Sequence, residues 1–433
     1  MWGWDQPEYT HSLLALRRAW QYAQNSRLNG YRKSQILTNT ANSLSHVGRV
    51  VEAIRLWNAA LNETKPFPMA QGNRGRGFYY YGQRTHDPGH QFLLMRQAYQ
   101  DIEEALKYNL YPQATVAFQL VAADILQFYG ASRLTSQFDL DHHSLGHEEE
   151  EIKYRKWSLQ NGLFLMPLNE VGNHTIAAAD TLLLPGITGP LDQGPHHFGF
   201  FNQMKQEYVT ARFSLFRGVT GGGRHYSDRD VKLVNTLDYP VYSRWIEEVK
   251  TAFRVAYSLF DKTAYFLNDY FELGIPERRV KFMTLWYEGL KREKGLRIEL
   301  TSRKNIALQA LFWVSRDLYE PDEYQELLEP EAQKLADIRN HIEHKYLKVL
   351  EHEPGPPPQA DSLMRGLADT LAYSVGQTEF QDKTLRLLQL ARSTLIYLVH
   401  AVYLEERQRE AEHGDDGLIM PMYLDEYEDD WKH

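Results

Sequence analysis

The sequence contains no cysteine among its 433 residues. A disulfide framework, a thiolate metal site and a cysteine nucleophile are therefore excluded. It also lacks an apolar run of the roughly 20 residues that a membrane-spanning helix needs. The N-terminus does not have the basic and then apolar layout of a signal peptide. We therefore expect a cytoplasmic protein with no membrane partner.

Charge is spread unevenly along the chain. The formal net charge is −9, and residues 404–433 contribute eleven Asp/Glu against three Lys/Arg. Residues 278–304, here named the basic segment, hold nine Lys/Arg against three Glu. Such a segment on a nearly neutral body is compatible with a polyanionic partner, although solvated helix faces also carry runs of charge.

Residues 8–130 have apolar side chains at spacings of three and four, which predicts consecutive helices. The spacing of small and large residues resembles a tetratricopeptide repeat at Ala41, Leu44, Gly48, Ala53 and Ala60. Gly48 permits a tight turn between two antiparallel helices. A second unit of this kind follows over residues 77–106. Repeat arrays form concave surfaces, so we expect a protein or peptide partner there.

The rest of the chain divides by composition. Glycine and proline interrupt residues 132–199, which predicts an irregular connector with one short helix. Helical periodicity returns from residue 200, with four principal helices, enough for an up-and-down bundle. We therefore predict an all-α fold in four parts: tetratricopeptide-like helical repeats (1–131), a connector (132–199), a four-helix bundle with insertions (200–412) and an acidic tail (413–433).

Histidines are concentrated in the predicted connector, at His142, His143, His147, His196 and His197. Because the surrounding residues have no regular pattern, we interpret these side chains as solvated loop histidines rather than metal ligands.

One stretch of the third bundle helix, predicted over residues 329–349, combines a permanent cation, an amide and an imidazole. These groups belong to Arg339, Asn340 and His344. At about 100° per residue, Arg339 and His344 point roughly 140° apart, whereas Asn340 and His344 share a face. A site with this layout is more naturally completed at an interface with a second copy of the chain.

Two other interpretations of this stretch are open. In the first, Arg339 pairs with Glu343 one turn later and His344 only caps the core. In the second, Asp337, His341 and His344 bind a metal ion, at a spacing that is stereochemically feasible. The second is less favoured because no further protein ligand is evident.

The stretch resembles the HEPN superfamily, a group of four-helix-bundle nucleotide-binding and ribonuclease domains of prokaryotic toxin, abortive-infection and other defence systems. The matching residues are Arg339-Asn340 and His344 on the third long helix. The segment GFFNQMKQEYVTARF is similar to the first bundle helix of a branch in which tetratricopeptide repeats precede the bundle. The resemblance covers residues 195–410 for the bundle and 30–130 for the repeats.

The resemblance implies a dimeric, metal-independent endoribonuclease that works in antiviral or stress defence, as in toxin–antitoxin systems, and is controlled by its repeats. Cleavage of RNA by its own 2′-hydroxyl needs a base, an acid and a cation near phosphorus. One His344 from each protomer would supply the base and the acid. Arg339 would bind the phosphate, and Asn340 would orient His344 or the phosphate. No metal or other cofactor is expected.

RNA is then the expected substrate, and the residues predicted to bind it are Arg278, Arg279, Lys281, Lys291 and Arg292. The acidic tail is predicted to lie on the basic segment of the same or a neighbouring chain and compete with RNA, unless it is an untethered solubilising tail. The alternative function is a non-catalytic bundle and repeat scaffold that binds RNA, nucleotide or a protein partner.

Overall fold

A computed structural model describes residues 4, 7–24, 27–190, 194–319, 332–352, 371–413 and 422–432. Regular structure in these residues consists of fourteen α-helices, several short 3-10 helices and two short strands. The all-α prediction is confirmed, and the strands are an addition to it.

Six helices form the N-terminal region, and they pack in sequential order as hairpins. They are α1 (Pro7–Gln24), α2 (Gly30–His46), α3 (Val50–Glu63), α4 (Pro68–Gln83), α5 (Pro88–Leu106) and α6 (Pro112–Tyr129). Gly48 adopts a φ of +88° in the turn between α2 and α3, as its predicted role requires. Ala53 and Ala60 are buried, which lets α3 approach its neighbours closely. The helical hairpins are therefore confirmed, and their assignment to the tetratricopeptide family stays a prediction.

The connector is irregular and packed rather than loose, and it holds two α-helices instead of the one predicted. It contains α7 (Ala131–Thr135) and α8 (Glu149–Gln160). The fully buried Arg392 of the last helix donates hydrogen bonds to the carbonyl oxygens of Phe164 and Met166 and pairs with Glu170. A buried cation satisfied in this way ties the connector to the bundle.

The bundle region contains α9 (His196–Thr220), α10 (Arg244–Tyr270), α11 (Ile298–Thr301), α12 (Ile306–Tyr319), α13 (Ala332–His344) and α14 (Gln377–His413). The end of α9 lies against the start of α10. Gly218 packs so closely there that an added Cβ would come within 2.5 Å of the Val249 side chain. The start of α9 lies against the end of α10, where the His197 and Tyr270 rings are 5.5 Å apart. These two helices are therefore antiparallel.

Helix α9 begins earlier than the sequence pattern suggested. His196 and His197 form its first turn, inside the segment predicted as connector. Their interpretation as loop histidines is therefore wrong. The pattern failed here because Gly and Pro dominate the preceding residues and obscure the helix start.

Helix α12 joins the N-terminal hairpins to the bundle. Asp317 accepts hydrogen bonds from both terminal nitrogens of Arg17 at 3.1 Å, and it pairs with the fully buried Arg49. Tyr397 of α14 donates to Glu52 and accepts from the Val51 amide. Burial alone would lower the pKa of Arg49, but the neighbouring Asp317 and Glu52 charges raise it above its ordinary value.

The prediction of a helix over residues 329–349 is wrong for the residues after His344. Residues Tyr346–Leu350 instead form β1, which pairs in parallel with β2 (Ala372–Gly376). On its other side β1 bridges Pro240, and the Val241 amide donates to the Val349 carbonyl. Apolar residues at both helical and strand spacing made this short segment ambiguous. The first residues of the predicted helix, 329–331, lie outside the described residues.

The last helix is long and apolar enough, by length and composition, to cross a membrane. However, 83% of its most apolar window is buried inside the protein. Burial of this extent is typical of the central core helix of a helical bundle.

Candidate functional site

Arg339 is positioned by an aromatic ring of the neighbouring helix. Its guanidinium carbon lies 5.0 Å from the centre of the Tyr257 ring on α10, a cation–π distance. The side chain is half-buried, and it forms no ion pair with a carboxylate in the described ranges. Burial raises the pKa of Tyr257, and the nearby Arg339 charge opposes that rise. The Arg339 charge is therefore held in place without being neutralised by a described carboxylate.

Asn340 and His344 lie on the open side of the same helix. Both side chains are exposed, and neither forms a hydrogen bond with another described residue. Helix α13 is continuous to His344, so the angular separation of roughly 140° between Arg339 and His344 is retained. Arg339 thus faces α10 while the amide and the imidazole face outward.

Arg254 of α10 contacts the C-terminal end of α13 and was missed by sequence reasoning. Its Nε lies 3.5 Å from Glu343 Oε1, and its terminal nitrogen donates to the Ile342 carbonyl at 3.4 Å. The predicted pair between Arg339 and Glu343 is therefore wrong, because Glu343 turns toward Arg254. In the sequence, Arg254 is one of several polar residues on the exposed face of α10, so no pattern signalled this role.

His341 has a structural environment. Its Nδ1 donates to the backbone carbonyl of Asp337 at 2.7 Å, and its ring lies 5.2 Å from the Tyr373 ring of β2. Asp337, His341 and His344 do not form a cluster of metal ligands within the described structure. The structure therefore does not bring together the three residues of the metal interpretation.

The first part of the basic segment is anchored on α10 near Tyr257. The Phe282 amide donates to Asp261 at 3.0 Å, and Asp261 follows Tyr257 by one helical turn. The exposed residues of this part are Arg278, Arg279 and Lys281. Three predicted RNA-binding cations therefore lie beside α10, the helix whose Tyr257 ring contacts Arg339 of α13.

The second part of the basic segment is anchored elsewhere. Lys291 and Arg292 lie in a turn that is closed by the bridge between Tyr287 and Leu296. The buried Trp286 ring before this turn packs 5.8 Å from Phe312 of α12. Trp286 also packs 5.8 Å from the Phe282 ring, so the two parts of the basic segment are joined through the same core.

The described part of the acidic tail faces α8 and α9. The carboxylate of Glu426 interacts with the half-buried Lys205 of α9. A hydrogen bond from Lys432 lowers the pKa of Asp429, with a smaller contribution from Arg155 of α8. Within the described structure, no side chain of residues 422–432 forms a hydrogen bond or ion pair with the basic segment of the same chain, and a position on a neighbouring chain stays a prediction.

The bundle, with an arginine, an amide and a histidine on the helix that precedes the small sheet, defines a HEPN-type domain. Residues 188–405, just over half of the chain, match the LA2681-like HEPN family, and the chain belongs to this family. The match includes Arg339, Asn340, His344 and the whole basic segment. Comparison with curated proteins and with solved structures gave no match.

Proposed function

We propose that this protein is a metal-independent endoribonuclease that works as a homodimer. The observation that carries the proposal is the arrangement of α13, which holds Arg339 against Tyr257 and leaves Asn340 and His344 exposed. Membership of a HEPN family supports it, since HEPN domains are frequently ribonucleases. These three residues supply a fixed cation, an amide and an imidazole, the groups that phosphodiester cleavage requires.

In the proposed reaction, the imidazole of one His344 takes the proton from the 2′-hydroxyl of RNA. The resulting 2′-oxygen attacks phosphorus, and the bond from phosphorus to the 5′-oxygen breaks. The protonated His344 of the second protomer gives its proton to the departing 5′-oxygen. Arg339 binds the nonbridging phosphate oxygens and stabilises the charge of the transition state. The products are a 2′,3′-cyclic phosphate and a 5′-hydroxyl.

The geometry of a single chain supports the proposed dimer. Arg339 and His344 point in different directions around α13, so they do not converge on one phosphate within one protomer. A twofold axis beside the exposed face of α13 would place Asn340 and His344 of both copies around a common cleft. Arg254 pairs with Glu343 at this end of the helix.

RNA would approach along α10. Arg278, Arg279 and Lys281 are exposed beside the helix that carries Tyr257, and contacts of this kind to phosphates position a strand without reading its sequence. Under this proposal the N-terminal hairpins regulate cleavage in a cytoplasmic defence or stress response. Their interface with the bundle through Asp317 is the physical connection for such control.

The test is incubation of the full chain with total RNA and transfer RNA in EDTA, followed by mapping of product ends. We expect cleavage with 2′,3′-cyclic phosphate ends, and loss of cleavage in His344→Ala. His341→Phe is the matched control, because it changes a histidine of the same helix but keeps the ring beside Tyr373. Retained cleavage by a folded His344→Ala protein would overturn the assignment.

A non-catalytic RNA-binding bundle is the second candidate, and one observation favours it. No described residue donates to or accepts from the His344 ring, so the described part of one chain does not orient the imidazole. Intact RNA after long incubation, together with RNA binding that survives Arg339→Ala, is the result that this candidate predicts.

A further inference from the structure

Two imidazoles and a carboxylate converge where the start of α9 meets the end of α10. The Nε2 atoms of His196 and His197 each lie 3.1 Å from the same oxygen, Oδ2 of Asp269. The candidate ligand atoms of the three side chains all lie within 4.8 Å of one another. This cluster takes no part in the proposed ribonuclease site.

The hydrogen bonds of His196 determine which ring nitrogen carries its proton. Its Nδ1 lies 3.0 Å from the Gly194 carbonyl, which can only accept, so Nδ1 is the protonated nitrogen. In a neutral ring, Nε2 then presents a lone pair to the Asp269 carboxylate. Two lone pairs at 3.1 Å repel each other unless a proton or a metal cation lies between them.

His197 adds a second nitrogen without a hydrogen bond. Its Nε2 is buried, and although Asp269 is 3.1 Å away, no partner in the described structure satisfies the geometry of a hydrogen bond. The ring is fixed by packing 5.1 Å from Phe266 and 5.5 Å from Tyr270. The neutral imidazole is the form of histidine that binds a metal ion.

We propose that His196, His197 and Asp269 bind a divalent transition metal, with Zn²⁺ as the best match. Imidazole nitrogen and carboxylate oxygen are common Zn²⁺ ligands, and tetrahedral coordination at about 2.0–2.2 Å separates two ligand atoms by about 3.3 Å. The observed 3.1 Å separations are close to this value. The Gly194 carbonyl would be the outer partner that fixes the orientation of His196.

The site is open to solvent on one side. The His196 and Asp269 side chains are 51% and 64% exposed, so a metal ion has an entry path and a water molecule can occupy the fourth position. A bound metal would fasten the start of α9 to the end of α10. Asp269 is separated from Tyr257 by about 18 Å along α10, so this site is distinct from the proposed ribonuclease site.

The experiment is a Zn²⁺ titration of the full chain after dialysis against EDTA and removal of the chelator, with a chromophoric chelator as competitor. Co²⁺ serves as a second probe, because its visible absorption reports four-coordinate binding. The variants are His196→Gln and Asp269→Asn, both at exposed positions. The matched control is His174→Gln, which alters another imidazole 3.0 Å from a carboxylate, that of Asp141, without a second histidine.

We expect the wild-type chain to bind a single Zn²⁺ and to give the four-coordinate Co²⁺ spectrum. His196→Gln and Asp269→Asn should each weaken binding by at least about tenfold, by analogy with outer-partner losses of about 10- to 100-fold. His174→Gln should bind as the wild type does, and circular dichroism should show unchanged helix content in all variants. Equal binding by wild type and His196→Gln, or no binding by the wild type, would overturn the proposal. Ribonuclease activity is measured separately in EDTA. Its presence or absence therefore neither supports nor overturns the Zn²⁺ proposal.

Discussion

The guanidinium of Arg339 lies 5.0 Å from the centre of the Tyr257 ring. A core aromatic side chain of α10 thus positions the cation of the motif helix, so the bundle core and the proposed site are directly connected. Tyr257 is itself 5% exposed and packs against Tyr319, with the two rings 6.1 Å apart. The orientation of Arg339 therefore depends on a rigid part of the protein.

This contact makes Tyr257 a positioning residue. Tyr257→Leu should lower kcat/KM for RNA cleavage by on the order of tenfold, since a cation–π contact contributes about 0.5–2 kcal/mol. Tyr257→Phe keeps the ring face and should retain nearly wild-type activity. Initial rates over a range of RNA concentrations give kcat/KM for both variants. Equal losses in the Leu and Phe variants would mean that the hydroxyl, rather than the ring, has the important role.

The buried Asp317 joins the hairpins to the bundle, which leads to a stability prediction. Asp317→Asn removes the charge that balances Arg17 and, together with Glu52, Arg49. An uncompensated buried charge costs about 3–5 kcal/mol, so we expect a loss up to this size. Urea unfolding followed by circular dichroism measures the loss. Asp141→Asn, which alters an exposed carboxylate near His174, is the control and should leave the unfolding midpoint unchanged. A similar midpoint for both variants would argue against a structural role for Asp317.

Local sequence patterns predicted much of this fold. The turn at Gly48 and the buried stripe of α10 could be predicted because both depend on short-range periodicity and backbone conformation. Strand β1, after His344, could not be predicted. Its five residues, which include Tyr, Leu and Val, fit either a helix end or a strand. Its pairing with β2 across a long stretch of chain decided the outcome.

The candidate site was predicted only along α13. Arg339, Asn340 and His344 are close in sequence, so helical geometry sufficed to describe them. Arg254 and Tyr257 reach the site through the packing of two distant helices, which no local pattern encodes. The same limit applies to Asp269 and the two histidines of α9.

His400 gives the protein a pH-dependent stability. It is fully buried beside the Tyr81 ring, and burial holds its pKa well below the ordinary value, with Arg84 and His86 lowering it further. The unfolded chain therefore binds a proton near pH 6.5 that the folded chain does not. Stability should be unaffected by this group above that pH and fall as the pH drops below it.

His400→Phe should remove this dependence while keeping an aromatic ring against Tyr81. Between about pH 6.5 and pH 5, the wild type should lose up to about 1.4 kcal/mol per pH unit relative to the variant. Urea unfolding of both proteins across this range gives the difference, and His86, present in both, cancels to first order. A difference that does not change with pH would show that His400 is not the group responsible.

The turn at Gly48 separates backbone strain from packing. Gly48→Ala places a Cβ at a φ of +88° and 2.3 Å from the Ile306 carbonyl oxygen. The hairpin of α2 and α3 must therefore move away from α12. Gly223→Ala is the matched control, because its φ of +68° carries a similar strain but nothing lies within 4 Å. Left-handed backbone costs about 1–2 kcal/mol, which both variants should show. Overpacking adds about 1–3 kcal/mol at Gly48 alone. Urea unfolding should therefore show a larger loss for Gly48→Ala, and equal losses would mean that the hairpins and the bundle are not tightly packed at this turn.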